Sequence, residues 1–150
     1  MWLTVLYIIM LLLILLFDIG ERRILNVLVL PGTVFALIAS LAKGREAFLA
    51  ALAGAVLGFL FFFALYWIGR KYYGAGAMGF GDVKLAVFLG AIVGVDQVLI
   101  VLASGMLLAG LVSALMLATK RGDRQSSLPY GAFMAFAGII ALLWSNVWAS

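Results

Sequence analysis

Charged residues fall in short clusters that divide the chain into six apolar runs. The first, Met1 to Phe17, is just long enough to cross a membrane as a helix and ends at Asp18-Ile19-Gly20-Glu21-Arg22-Arg23. The second, Leu25 to Ala42, carries Asn26 and Pro31-Gly32 early, so its first turns are expected to be irregular or to lie at the interface. Lys43-Gly44-Arg45-Glu46 closes it. The third, Ala47 to Gly69, reads as a clear span ended by Arg70-Lys71. The fifth, Val98 to Thr119, leads into the most polar loop, Lys120 to Ser127, after which Pro129 opens a sixth span to about Trp148.

The fourth run is different. Val83 to Val95 has only 13 residues, covering about 20 Å as a helix against a hydrocarbon core of about 30 Å. Before it lies Tyr72 to Gly81, with four glycines in ten residues and low helix propensity. That glycine-rich run is expected to dip below the membrane surface. Non-helical backbone is tolerated there only under protein cover or beside water. Asp82 should then start a helix below the surface, facing a wet cavity.

Composition fixes the class. Of 150 residues, 67% are hydrophobic and 11% charged, against about half and a quarter in soluble domains. The expected fold is an all-α membrane protein of about six transmembrane helices, one domain over residues 1–150. Met1 to Phe17 has no basic leader and no small-residue cleavage site, so it is expected to be a retained first helix. With no histidine and no cysteine, Ser-His, Cys-His and ordinary zinc hydrolase chemistry is excluded. The net charge of +4 is scattered in loop clusters and does not indicate nucleic-acid binding. Orientation follows from the same clusters. Arg22, Arg23, Arg70, Lys71, Lys120, Arg121 and Arg124 fall in the odd loops, against Lys43 and Arg45 in the even ones. The positive-inside rule then puts the odd loops in the cytoplasm and both termini outside. Trp2, Trp144 and Trp148 near the outer face and Trp67 near the inner one read as interface anchors.

An ionisable residue within a membrane-type sequence is a functional candidate. Asp18 ends the first span and Asp82 opens the fourth, so both belong to the cytoplasmic end at similar depth. Two close carboxylates cannot both ionise readily. Sharing a proton lets one activate water while the other protonates a carbonyl. The plainer alternative makes Asp18 a solvated loop charge near Arg22 and Arg23, and Asp82 a helix cap. The glycines before Asp82 would suit pairing with an extended substrate backbone. Asp82, Ala86, Gly90 and Gly94 recur at helical spacing, as do Gly54 and Gly58, and both stripes read mainly as packing. Lys84, two residues after Asp82, points elsewhere on a helix and is read as structural.

Gly79-Phe80-Gly81-Asp82-Val83-Lys84-Leu85 resembles the signature of the type IV prepilin peptidases, within the GxGD intramembrane aspartyl proteases. Asp18 through Arg23-Ile24-Leu25-Asn26 is similar to that family's first-aspartate segment, with Leu25 where proline is usual. Leu128-Pro129-Tyr130-Gly131-Ala132-Phe133 resembles its late Pro-x-Gly-Pro-Phe segment, with Ala132 in place of the second proline. The resemblance implies an aspartic endopeptidase, with Asp18 and Asp82 as the catalytic pair. Gly79, Phe80, Gly81, Lys84, Pro129, Tyr130 and Gly131 would bind substrate or shape the site, with no metal and no cofactor. The implied substrate is a type IV prepilin or pseudopilin, a basic leader ahead of an apolar helix, cut at the cytoplasmic face of the inner membrane among its lipids. The absence of cysteines and of an N-terminal domain is similar to short, peptidase-only members, so methyl transfer is not expected.

Three rivals frame that reading. A signal-peptide-peptidase-like or presenilin-like enzyme would place its first aspartate after tyrosine, where this chain has Phe17. A small proton-coupled transporter would use Asp82 as an ion site, and inverted repeats would favour it. A Ser-Lys protease would need a suitably spaced serine. Within the dyad, Asp18 at a helix C-terminus and Asp82 at an N-terminus lead to the expectation that Asp82 is ionised and Asp18 protonated.

Overall fold

The computed structural model describes residues 2–21, 24, 26–74, 79–119 and 130–148. Among these, the secondary structure is entirely helical: α1 (Trp2–Glu21), α2 (Asn26–Ala42), α3 (Arg45–Tyr73), α4 (Phe80–Val93), α5 (Val95–Ala118) and α6 (Tyr130–Trp148). Three stretches, Trp2–Glu21, Arg45–Tyr72 and Val95–Met116, are long and apolar enough to cross a membrane, and Asn26–Ala42 and Tyr130–Ser145 are shorter apolar helices. The outward side chains are apolar as well. Leu107 and Leu111 on α5 are each 68% exposed and Leu60 on α3 is 57% exposed, a surface suited to lipid rather than water.

The shortest helix sits in the middle. α4 packs against α2, α3, α5 and α6, while α1 lies on α6 and α5 runs along α3 and α6. Asp82, Val83, Leu85, Ala86, Phe88, Leu89, Gly90 and Ala91 are all buried. A helix apolar on every side is a core element, and α4 is surrounded accordingly.

Its closest neighbour is α3, and the two small-residue stripes meet each other. A Cβ on Gly54 would strike the Gly90 carbonyl, one on Gly90 would strike the Gly54 backbone, and one on Gly58 would strike the Ala86 carbonyl. With no side chains between them, the backbones touch, the close approach by which helices associate in lipid. Asp82 stands one turn before Ala86, so this crossing fixes the rotation of α4 and turns Asp82 inward.

Several boundaries differ from those the apolar runs suggest. α1 continues through Asp18 to Glu21, so Asp18 is helical rather than a loop residue. α2 is helical from Asn26 with Pro31 inside it. Pro31 removes one backbone donor, yet burial of Val29, Gly32 and Ala36 holds the helix. Gly32 is tightly packed, since a Cβ there would meet Met10 Cε at 2.6 Å and Phe88 Cε2 at 2.9 Å and those side chains would have to shift. A single residue, Gly94, at φ +78°, links α4 to α5 and donates its N–H to the Gly90 carbonyl. Asp96 therefore belongs to the first turn of α5, where the helix dipole favours an acid. Residues 75–78, with the expected dip of the glycine-rich run, lie outside the described residues. So do Arg22, Arg23, the polar stretch from Lys120 to Ser127, and Pro129.

Candidate active site

The periodicity of α1 delivers Asp18 to the interior. Tyr7, Leu11, Ile14 and Asp18 are its buried residues, a stripe of i, i+4, i+7 and i+11 that keeps one face inward. Asp82 arrives by another route, as the third residue of α4 after Gly79, the N-cap. Its own N–H donates to the Gly79 carbonyl at 3.1 Å. Its carboxylate in turn interacts with the Gly79 backbone, as an acid at the third helical position does in a capping box.

Asp18 and Asp82 are the two buried polar side chains among the described residues, 4% and 8% exposed. They lie close enough for the charge of Asp18 to act on Asp82. Like charges brought together in a low-dielectric setting repel strongly, so the pair favours a state holding a proton.

A third element completes the arrangement. The carboxylate of Asp18 accepts the backbone N–H of Ala132 at 2.7 Å, and Ala132 is the third residue of α6. Gly131 makes this possible: a Cβ there would meet Asp18 Oδ2 at 2.9 Å and Ile24 Cδ1 at 2.9 Å. Ile24 also fills the space beside Gly81, whose Cβ would meet Ile24 Cβ at 3.0 Å. One isoleucine thus packs against glycines of both α4 and α6, next to the two carboxylates.

The start of α4 therefore faces Asp82 and the start of α6 faces Asp18. Each helix N-terminus favours an anion by about 0.3–2 kcal/mol, and a hydrogen bond to a charged group adds about 1.5–3 kcal/mol. These terms offset part of the cost of burying two carboxylates. They also remove the asymmetry behind the expected proton placement. Asp18 stands in the last turn of its own helix, but its carboxylate rests on the N-terminus of α6. Helix ends no longer rank the two acids.

The remaining sequence-derived candidates divide. Gly79, Gly81 and Gly131 lie at the carboxylates in the ways just given. Phe80 is 44% exposed and meets Tyr66 edge-on, ring centroids 5.5 Å apart. Lys84 turns toward α2, donating to Asn26 Oδ1 at 3.0 Å, with its ammonium 5.5 Å from the Phe80 ring centroid. Tyr130, 40% exposed, begins α6. Ile24, Asn26 and the Ala132 N–H were not among the expected site residues. The first two stand in the Asp18–Asn26 segment and the third in the late segment, so the motifs contained them without indicating their contacts.

The type IV leader peptidase family model matches residues 5–119. The chain is similar to prepilin leader peptidase/N-methyltransferases. That of Pseudomonas putida is 32% identical over 131 residues, 87% of this chain and 46% of that protein. The Pseudomonas aeruginosa enzyme is 32% identical with 87% and 45% covered. That of Aeromonas hydrophila is 37% identical with 86% and 44% covered. The chain thus spans less than half the length of these curated relatives. No solved structure matches it. Since the family match takes in both buried carboxylates and most of the sequence, this chain belongs to the type IV leader peptidase family.

Proposed function

We propose that this chain is a membrane aspartic endopeptidase that removes the basic leader of type IV prepilins or pilin-like proteins. Asp18 and Asp82 form its catalytic pair, and residues 1–150 act as one transmembrane peptidase domain. The observation that carries the reading is the placing of two buried carboxylates, from α1 and α4, on either side of Ile24, with Asp18 held by the N-terminus of α6. Family membership and the prepilin-directed names of the relatives support the substrate class.

The chemistry follows from a pair holding one proton. The ionised carboxylate takes a proton from water as the water oxygen bonds to the scissile carbonyl carbon. The protonated carboxyl gives its proton to the carbonyl oxygen, forming a gem-diol. Breakdown reverses the roles: the diol loses a proton, the C–N bond breaks and the departing amine is protonated. Gly79, Phe80, Gly81, Lys84, Pro129, Tyr130 and Gly131 shape the surroundings or bind the substrate.

In this reading the six helices span the inner membrane with both termini outside and the pair near the cytoplasmic face. The distribution of basic residues supports that orientation. The test is cleavage of a co-expressed prepilin by wild type, Asp18→Asn and Asp82→Asn, each checked for membrane insertion. General acid–base groups contribute about 10²–10⁴-fold. Each inserted variant should therefore be slower by at least the lower figure, and an inserted variant that still trims the leader at the wild-type rate overturns the assignment.

A further inference from the structure

Lys84 follows the glycine-aspartate turn, yet the partner the structure gives its ammonium is neutral: the side-chain oxygen of Asn26, at 3.0 Å. Asn26 is the first residue of α2 and lies eight residues after Asp18, while Lys84 lies two after Asp82. The bond thus ties the two aspartate-bearing segments together through their flanks. Ile24, two residues before Asn26, packs on Gly81, the residue before Asp82, so the same join is made a second time by apolar contact. Phe80 closes the group, its ring under the Lys84 ammonium and its edge against Tyr66 of α3.

We propose that Lys84 is a positioning residue that acts through Asn26, latching the start of α2 to the start of α4 and thereby setting the separation of Asp18 and Asp82. This rests on the peptidase reading for its kinetic consequence, but the latch itself is a geometric claim. A lysine ammonium is a compact donor on a flexible stem, able to reach a neighbouring helix without bringing an anion near two carboxylates. Misplacing a reacting group by about 1 Å can cost on the order of a hundredfold in rate, so a partly exposed bond can matter kinetically while adding little to stability.

The test uses the full chain in lipid vesicles, with a purified prepilin carrying its leader and apolar helix as substrate. Lys84→Met, Asn26→Ala and the double variant should each lower kcat by about ten- to a hundredfold with KM unchanged within about twofold. The double variant should be no worse than the poorer single, and Asn26→Gln, which retains a neutral acceptor, should recover most of the loss seen in Asn26→Ala. Wild-type turnover by Asn26→Ala beside a slow Lys84→Met, or losses that multiply in the double variant, would overturn the latch. Because the chain has no cysteine, Glu21→Cys and Tyr72→Cys can carry spin labels, and their distance distribution should broaden alike in Lys84→Met and Asn26→Ala. Should the wild type fail to cleave, the peptidase reading falls and the distances alone decide: broadening sustains the latch, and an unchanged distribution refutes it.

Discussion

Asp18 and Ala132, 114 residues apart in the chain, are joined by a 2.7 Å hydrogen bond from backbone N–H to carboxylate. The bond makes α6 a partner of the candidate site although α6 contributes no acid of its own. It also means that Asp18 has two separable duties, as acceptor for a helix end and as carboxylate beside Asp82.

Asparagine and alanine at position 18 should divide those duties. Both remove the charge and its repulsion with Asp82, and both should slow cleavage by at least about a hundredfold. Asparagine keeps an oxygen for the Ala132 N–H, whereas alanine leaves that donor without it, a loss of about 1 kcal/mol for cap-type bonds. Thermal unfolding in detergent should therefore rank Asp18→Ala below Asp18→Asn. Equal midpoints would show that the 2.7 Å bond contributes nothing to the fold.

Gly131→Ala should damage activity more than stability. The new Cβ would meet Asp18 Oδ2 and Ile24 Cδ1, each at 2.9 Å, so the carboxylate must shift and its bond to Ala132 weakens. Against that loss of about 1 kcal/mol, alanine in a helix gains up to about 1 kcal/mol over glycine, and the two nearly cancel. The expected outcome is a cleavage rate lower by about ten- to a hundredfold with a melting temperature close to wild type. Unchanged turnover would mean that Asp18 does not need its present position.

A pair that works with one shared proton should lose activity at both extremes of pH. Adding a second proton removes the base, and removing the only one leaves no acid. The profile of kcat/KM for a prepilin substrate should be bell-shaped, and an activity that rises to a plateau without a second limb would point to a single titrating group.

Orientation can be read by labelling. In the cysteine-free background, Glu21→Cys and Lys71→Cys should react with a membrane-impermeant maleimide in inverted vesicles, and Lys43→Cys in spheroplasts. The reverse pattern would move the site to the other face of the membrane.

Much of this arrangement was legible beforehand. Long apolar runs reveal α3 and α5 because length and hydropathy are local properties. The buried stripe of α1 was not readable, since Tyr7, Leu11 and Ile14 stand among neighbours that are almost all equally apolar. The boundary at Gly94 was obscured because Asp96 looks like a loop residue, although an acid in the first helical turn suits the dipole. Pro31 suggested an irregular start to α2, because local backbone rules do not register how tightly Gly32 is packed. What could not be read was tertiary. The position of Asp18 on the N-terminus of α6, Ile24 between Gly81 and Gly131, and Lys84 on Asn26 all join residues whose spacing in the chain carries no period.

The contact of Gly54 with Gly90 has a consequence for how sequences of this kind can vary. At both positions a side chain would collide with backbone, which has no rotamer by which to yield, so a replacement should force α3 and α4 apart and lower the amount of folded protein before its chemistry is tested. Gly131 is crowded by side-chain atoms instead, and those can move aside. A saturation library sorted first by abundance and then by leader removal should therefore separate two kinds of indispensable glycine, one lost at the first gate and the other only at the second.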